Sequence, residues 1–482
     1  MLLGSNDAMH FRLILLALSA ACLTADGGWW PQFRGPQGQG IAHTREIPLE
    51  FGPSRNVAWK AETPEGHSSP VLTEDRIFLT AFEDDRLYVL AINREDGREL
   101  WRREVPRPRR EIYNDLHGPA SPTPVTDGSN VFAFFGDFGL ISFDGHGHER
   151  WRLPMGPFQN INGHGSSPIL ADGLLILVVD QNIDSYLLAV DPADGRVVWK
   201  TDRSETTRGY GTAGVYRPSD GPSQLVVPGA YRVISYDLRT GEKLWWVDGM
   251  AWQLKCVPVF DGDTIYINAW EAGGDPGQQK QTLSWNEVLE RHDNDGDGKL
   301  SREETPDEGL RRDRPWIEHD LDADGYLGRR DWEFYAARRA PVNNLVAIRP
   351  EGRTGDLTTS GVLWRYAKSL PNTPSPLLLN DTLFLVKDGG IFQSVDPRKG
   401  EPVKIGRLGP DAMERYWASP VAADGKIYVV DEDCTVTVVK PAAEWEPLAT
   451  NSVDGICIAT PAIADGRLYL RTDRALYAFG SM

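Results

Sequence analysis

The sequence predicts an all-β fold: an eight-bladed β-propeller of four-stranded blades, closed by an N-terminal strand and interrupted in blade 5 by a small α-helical insertion. Three observations carry that expectation. A turn-and-tryptophan unit recurs along the chain, a Ser/Thr-Pro element recurs every 41 to 46 residues where nothing intervenes, and a strand pattern near the N-terminus has no preceding partner. The 482 residues include 48 glycines and 16 tryptophans, which suits tight turns between short, aromatic-anchored strands and disfavours a helical bundle. Lys plus Arg total 51 against 69 Asp plus Glu, a formal charge of −18, so a nucleic-acid backbone is disfavoured as a partner and cations are favoured. At 25% charged and 40% hydrophobic, the composition argues against a multi-span membrane protein.

Residues 1–25 read as a signal peptide. An apolar run of roughly eleven residues (13–23) follows His10 and Arg12, too short to span a bilayer as a stable helix. Cleavage is expected after Ala25. Ser19-Ala-Ala-Cys22 is an imperfect lipobox, lacking the aliphatic residue three before the cysteine, so a lipid anchor at Cys22 is the lesser alternative. The expected location is periplasmic or secreted, with no membrane span. Cys256, Cys434 and Cys457 are far apart and form no CxxC, CxxCH or adjacent pair, which removes covalent haem and zinc-ribbon readings. Residues 26–55 are expected to form an N-terminal strap over the propeller, dispensable to the ring itself.

The propeller is expected over residues 56–480. Ala91-Ile-Asn93 with Gly97 and Trp101 is one copy of the turn unit; Ala189-Val-Asp191 with Gly195 and Trp199, and Ser235-Tyr-Asp237 with Gly241 and Trp245, are others. Ser142-Phe-Asp144 with Gly147 and Trp151 is one residue tighter, and Ser394-Val-Asp396 with Gly400 has Lys404 in place of the tryptophan. The Asp or Asn folds back on its turn, the glycine supplies positive φ, and alternating flanks make a β-hairpin. The tryptophan is expected to pack between neighbouring sheets. Blade starts are read at Ser69-Pro70, Ser121-Pro122, Ser167-Pro168, Thr212, Val257-Pro258, Ser375-Pro376, Ser419-Pro420 and Thr460-Pro461. The last unit lacks its outer strand at Gly480, and Asn56 to Lys60 supplies one.

These blades resemble the pyrroloquinoline quinone (PQQ)-like eight-bladed propellers, over nearly all of residues 56–480. That resemblance implies a family holding quinoprotein dehydrogenases, the outer-membrane assembly lipoprotein BamB and exported propellers without an assigned reaction. It is specific for fold and weak for chemistry.

The insertion is expected over residues 281–340, which hold 16 Asp plus Glu and 10 Lys plus Arg. Two 12-residue loops match the EF-hand template. Asp293, Asp295, Asp297, Lys299, Ser301 and Glu304 take the ligand positions of the first, with Gly298 at the sixth. Asp320, Asp322, Asp324, Tyr326 and Asp331 take those of the second; Gly328 leaves its ninth position to water, and Asp331 is shorter than the usual Glu. A hard cation wants six to eight oxygens, which alternating carboxylates and the carbonyls of Lys299 and Tyr326 supply. Two Ca²⁺ ions are expected, with Leu300 and Leu327 bridging the loops.

Residues preceding the blade starts should converge at one end of the central channel. They are His67, His117, His164, Arg208, Tyr210, Gln253, Lys255, Asn372, Arg415 and Trp417. This set suits an anionic or polyhydroxy ligand, a three-histidine metal site, or inter-blade packing. The leading functional reading is an exported calcium-binding scaffold or binding module for a protein, glycan or small molecule. A PQQ-dependent dehydrogenase acting on alcohols or sugars is one alternative, although the adjacent-cysteine disulfide of many such enzymes is absent and no catalytic aspartate is assignable. A BamB-like assembly factor is the other.

Overall fold

A computed structural model describes residues 28–114 and 117–481. The leader, with Cys22 and Ala25, lies outside the described residues. Eight sheets stand in a ring, antiparallel apart from one added strand on blade 4. Blade 1 runs Val71–Leu72, Arg76–Glu83, Arg86–Asn93 and Glu99–Val105, innermost strand first, and the later blades repeat this order. Blade 8 has three strands of its own, Ala462–Ala464, Arg467–Arg471 and Ala475–Phe479, and takes Val57–Glu62 as its fourth, in register from Trp59 opposite Ala478 to Glu62 opposite Ala475. The N-terminal strand thus closes the ring. Among the described residues no helix is long and apolar enough to cross a membrane.

The turn units explain how one blade grips the next. A Cβ on Gly195 would come within 2.7 Å of the Trp151 ring, and one on Gly147 within 2.8 Å of Trp101, so each glycine is required by the close approach of the preceding blade's indole. Trp59, Trp101, Trp151 and Trp364 each donate Nε1–H to a backbone carbonyl of the neighbouring turn at 2.9–3.1 Å, which satisfies the polar end of a largely buried ring. Tryptophan is therefore both wedge and hydrogen-bond donor between sheets.

The Ser/Thr-Pro element has a matching cause. The backbone N–H of Ser69 donates to Thr123 Oγ1, Thr123 N–H to Ser167 Oγ, and Ser167 N–H to Thr212 Oγ1; Val257 N–H donates to Ser375 Oγ, Ser375 N–H to Ser419 Oγ, and Ser419 N–H to Thr460 Oγ1. Each of these bonds is 3.0 Å long. The hydroxyl ties adjacent blades at the channel wall, and the following proline adds no further donor to satisfy. This register corrects one blade start: blade 2 begins in phase at Thr123-Pro124, 54 residues after Ser69, rather than at Ser121-Pro122. The extra length is the loop after Val105. Val257 has no hydroxyl, so the ladder breaks at blade 5. Between blades 8 and 1, the buried Arg471 guanidinium spans the seam, donating to the carbonyls of Ser68, Thr80 and Pro64.

Residues 28–55 do more than cover the ring. Trp30, Ile47 and Phe51 are at most 4% exposed within the core, and the strap bonds to Leu72, Thr126, Pro258, Pro376 and Ala422 of five blades. This burial argues against a dispensable strap: its removal would expose a large apolar area.

The cysteines read as separate are partly joined. Cys434, in a turn of blade 7, and Cys457, leading into blade 8, form a disulfide across 23 residues with their Cα atoms 4.9 Å apart, and Cys256 is free and buried. Another unforeseen feature is a fifth strand on blade 4, Gly355–Asp356 from blade 5, pairing parallel with Trp245 and Trp246.

Candidate functional site: the axial funnel and the acidic insert

The channel holds a cavity of about 390 Å³. The residues preceding the inner strands form its mouth, and the ladder hydroxyls and Phe33 of the strap complete the described lining. Of the ten residues expected to converge there, His67, His117, Tyr210, Gln253, Lys255, Asn372 and Trp417 line the cavity. His164, Arg208 and Arg415 do not.

Each of those three has a local reason. His164 is packed against Phe134 and Phe158, with ring centroids 5.8 and 4.6 Å away, and offers only its carbonyl, which accepts from His117 Nε2 at 3.1 Å. Arg208 is buried but turned outward, donating to Asn182 Oδ1 and the Glu318 carbonyl and lying over Trp252. Arg415 is exposed on its loop. The three histidines therefore do not share one ligand space. Among the described residues, the groups of three or more metal-ligating side chains contain no histidine.

Lys255 donates Nζ–H to Asn372 Oδ1 at 2.7 Å. Enclosure lowers its pKa, an effect opposed by Glu271 and reinforced by Arg338. His67 is pushed down to about 4 by burial, aided by the charges of His117 and Arg471; His117 is likewise pushed down to about 4 by burial. Both imidazoles are neutral at pH 7 and able to donate and accept. Tyr210 accepts from Asn162 Nδ2 at 2.9 Å and donates to Asn160 Oδ1 at 3.2 Å, and Trp417 donates to Glu432 Oε2 at 3.1 Å. Sequence reading missed Asn162, five residues before the Ser167 blade start and two before His164; Phe33 of the strap, which is far from any blade start; and the inward-facing ladder hydroxyls, whose Ser/Thr-Pro signal marks the blade starts without revealing their hydrogen bonds.

The insert leaves blade 5 between strands Thr264–Ala269 and Asn344–Ile348. It holds helices α1 (Trp285–His292), α2 (Asp313–His319) and α3 (Arg329–Arg339) around its own core of Trp285, Trp316, Trp332, Leu300 and Leu327. Ser284 caps α1 through a reciprocal bond with Glu287. Leu300 and Leu327 form an antiparallel bridge. One carboxylate oxygen from each of Asp293, Asp295 and Asp297 lies within 4.8 Å of the others, and the same holds for Asp320, Asp322 and Asp324.

Both loops are drawn shut by their last carboxylate. Glu304 accepts from the N–H groups of Asn294 and Ser301 at 2.8 and 2.9 Å. Asp331, despite its shorter side chain, accepts from Leu321 at 3.2 Å and Gly328 at 2.9 Å, the corresponding pair. Gly298 turns at φ 79° and Gly325 at φ 89°, conformations that a Cβ disfavours. Burial raises Asp331 to about 6. Lys299, expected to contribute its carbonyl, also places Nζ 2.5 Å from Asp324 Oδ2, tying one loop to the other.

The insert is seated beside the funnel mouth. Arg330 donates to the carbonyls of Asn182 and Thr206, Tyr231 donates to the Phe334 carbonyl at 3.0 Å, and Arg338 lies 3.9 Å over Trp252. The segment Trp252-Gln253-Leu254-Lys255 runs from beneath the insert into the channel wall.

A family model described as "Outer membrane protein assembly factor BamB" matches residues 53–183 and 183–284, ending one residue before α1. A curated protein of that name from Alkalilimnicola ehrlichii is 28% identical over 214 residues, 42% of this chain and 49% of its own length, so the chain matches about half of that relative. Of solved structures, BamB from Moraxella catarrhalis is similar with a TM-score of 0.53 at 12% identity, covering 88% of this chain and 98% of that one. A europium-containing methanol dehydrogenase is similar at 0.57 and 12%, covering 95% and 99%. At these identities the structural likeness is one of fold alone. Ring and repeat unit make the chain an eight-bladed β-propeller, and the family match over residues 53–284 makes it similar to the PQQ-like, BamB-like propellers.

Proposed function

We propose that the protein is an exported, calcium-binding propeller that works as a binding module, with the axial funnel as its ligand site and the insert as a calcium-filled structural element. The observation that carries this reading is the cavity walled by side chains from separate blades, a concave site with convergent polar groups. Calcium is supported by the two aspartate triplets and the carboxylates that close their loops. A periplasmic or secreted location is supported by the leader and by the Cys434–Cys457 disulfide, a bond that persists in oxidising compartments. The ligand is a small molecule or a glycan terminus, since the cavity of about 390 Å³ admits no folded partner.

The test is a ligand screen read by Trp417 fluorescence on the calcium-loaded chain. Saturable quenching by a small ligand, lost in Trp417→Phe, supports the reading; a ligand that binds unchanged when His67 and Gln253 are both replaced by Ala contradicts it.

A second reading, a BamB-like role in assembling outer-membrane proteins, is favoured by the description of the matching family and of the curated relative. It predicts protein partners at the exposed rim. The dehydrogenase reading fares differently. PQQ chemistry as the resemblance implies it couples the quinone to a Lewis-acid Ca²⁺, which wants carboxylate ligands. No Asp or Glu stands among the described residues lining the cavity, so the donor set does not fit that metal and no step is derived through it.

A further inference from the structure

Sixty-nine Asp plus Glu against 51 Lys plus Arg give this chain a charge of −18, yet the described wall of its funnel carries no carboxylate and holds Lys255. Deeper in the channel, Thr123, Ser167, Thr212, Ser419 and Thr460 are each at most 5% exposed and line the cavity. Every one of these hydroxyls accepts a backbone N–H or belongs to the ladder that does so, and among the described residues none donates its own hydrogen to a protein acceptor. A hydroxyl that accepts one N–H keeps its own O–H, beside one remaining lone pair, to offer to the cavity. Lys255 spends one N–H on Asn372 and has no hydrogen bond to Glu271, the carboxylate nearest to it in effect. The ladder, with Lys255 at the mouth just before it, thus offers unspent donors and no carboxylate among its described residues, an arrangement a bound oxyanion satisfies. The rest of the mouth is different: Gln253, Asn162 and two neutral imidazoles offer both donors and acceptors, beside the aromatic rings of Tyr210 and Trp417.

We propose that the funnel takes a sugar acid, a hydroxylated ring bearing a carboxylate, with the carboxylate on Lys255 and the hydroxyl ladder and the ring hydroxyls on the amides and imidazoles of the mouth. This rests on the reading of the funnel as the ligand site.

The experiment is isothermal titration of the intact, calcium-loaded chain with D-galacturonate and D-glucuronate, each paired with its neutral hexose, galactose or glucose, and repeated on Lys255→Gln. At least one acid is expected to bind ten-fold or more tightly than its neutral partner, weakening as salt rises, with the preference reduced to about two-fold or less in Lys255→Gln. Neutral sugars that bind as tightly as their acids overturn the sugar-acid inference and leave the funnel standing as a ligand site. Absence of binding by all four sugars also overturns it; the funnel reading then stands or falls on the wider ligand screen. The comparison on the unaltered protein decides the matter even if the variant fails to fold.

Discussion

The insert packs two triplets of aspartates within 4.8 Å, while the channel beside it shows no carboxylate among its described lining residues. One acidic chain has sorted its charges by position. In the insert the carboxylates lie at alternate positions of one loop, so local backbone geometry alone brings them together. In the funnel each wall residue comes from a different blade, and only closure of the ring makes them neighbours. The insert should therefore behave as a local element, and the funnel as a property of the whole fold.

The strongest way to break that contrast is to open the ring. Deleting residues 28–62 removes the fourth strand of blade 8 together with buried Trp30 and Phe51; we expect loss of cooperative folding by circular dichroism, with no funnel binding remaining. Deleting only residues 28–55 is expected to lower the melting temperature clearly as well, and an unchanged melt would show that the strap is a passive cover.

A smaller effect is expected from Cys434→Ser. The disulfide closes a loop between residues 23 apart and ties blade 7 to the start of blade 8, so its loss should cost about 2–4 kcal/mol in denaturant titration. Reducing agent should reproduce the loss in the unaltered chain.

Acid should weaken the ring through its histidines. His67, His117 and His164 are held by burial at about 4, 4 and 3, below the ordinary value of 6.5. Between those values the unfolded chain binds more protons than the folded one, so stability is fully present above about pH 6.5 and is lost as pH falls toward 4. The expected loss by pH 5 is about 1–2 kcal/mol per imidazole, read as a falling urea midpoint. His164→Phe, which places an apolar ring among Phe134 and Phe158, should flatten the profile.

The smallest effect on the ring is expected from Glu304→Gln. It removes the charge that closes the first loop, and calcium affinity there should fall ten-fold or more while the propeller's melt is unchanged. A collapse of the sheet signal would mean that the insert is integral to the ring.

What was legible in the sequence follows the same division. Loop spacing foretells the two aspartate triplets and the Leu300–Leu327 bridge, because twelve adjacent residues carry the pattern. The blades were legible from Gly195-type turns and their tryptophans, and the missing eighth outer strand from the residues after Asn56. The channel was legible only in part. His67, Lys255 and Trp417 point inward as their place before a blade start suggests, but Arg208 is recruited by Glu318 and Trp252, 110 residues downstream in the case of Glu318. His164 is turned aside by Phe158, and the phase of blade 2 slipped by two residues because Ser121-Pro122 and Thr123-Pro124 stand in tandem. Such outcomes depend on contacts between blades, which no local spacing encodes.

The most direct measurement is calorimetric titration of the chelator-stripped chain with Ca²⁺, alone and with Asp293→Asn or Lys255→Gln. The account predicts two ions per chain, one in Asp293→Asn, and two in Lys255→Gln, whose altered residue lies in the funnel. Calcium binding that persists with both aspartate triplets neutralised, or that disappears with Lys255→Gln, would contradict the separation of a cation-holding insert from a funnel without carboxylates among its described lining residues.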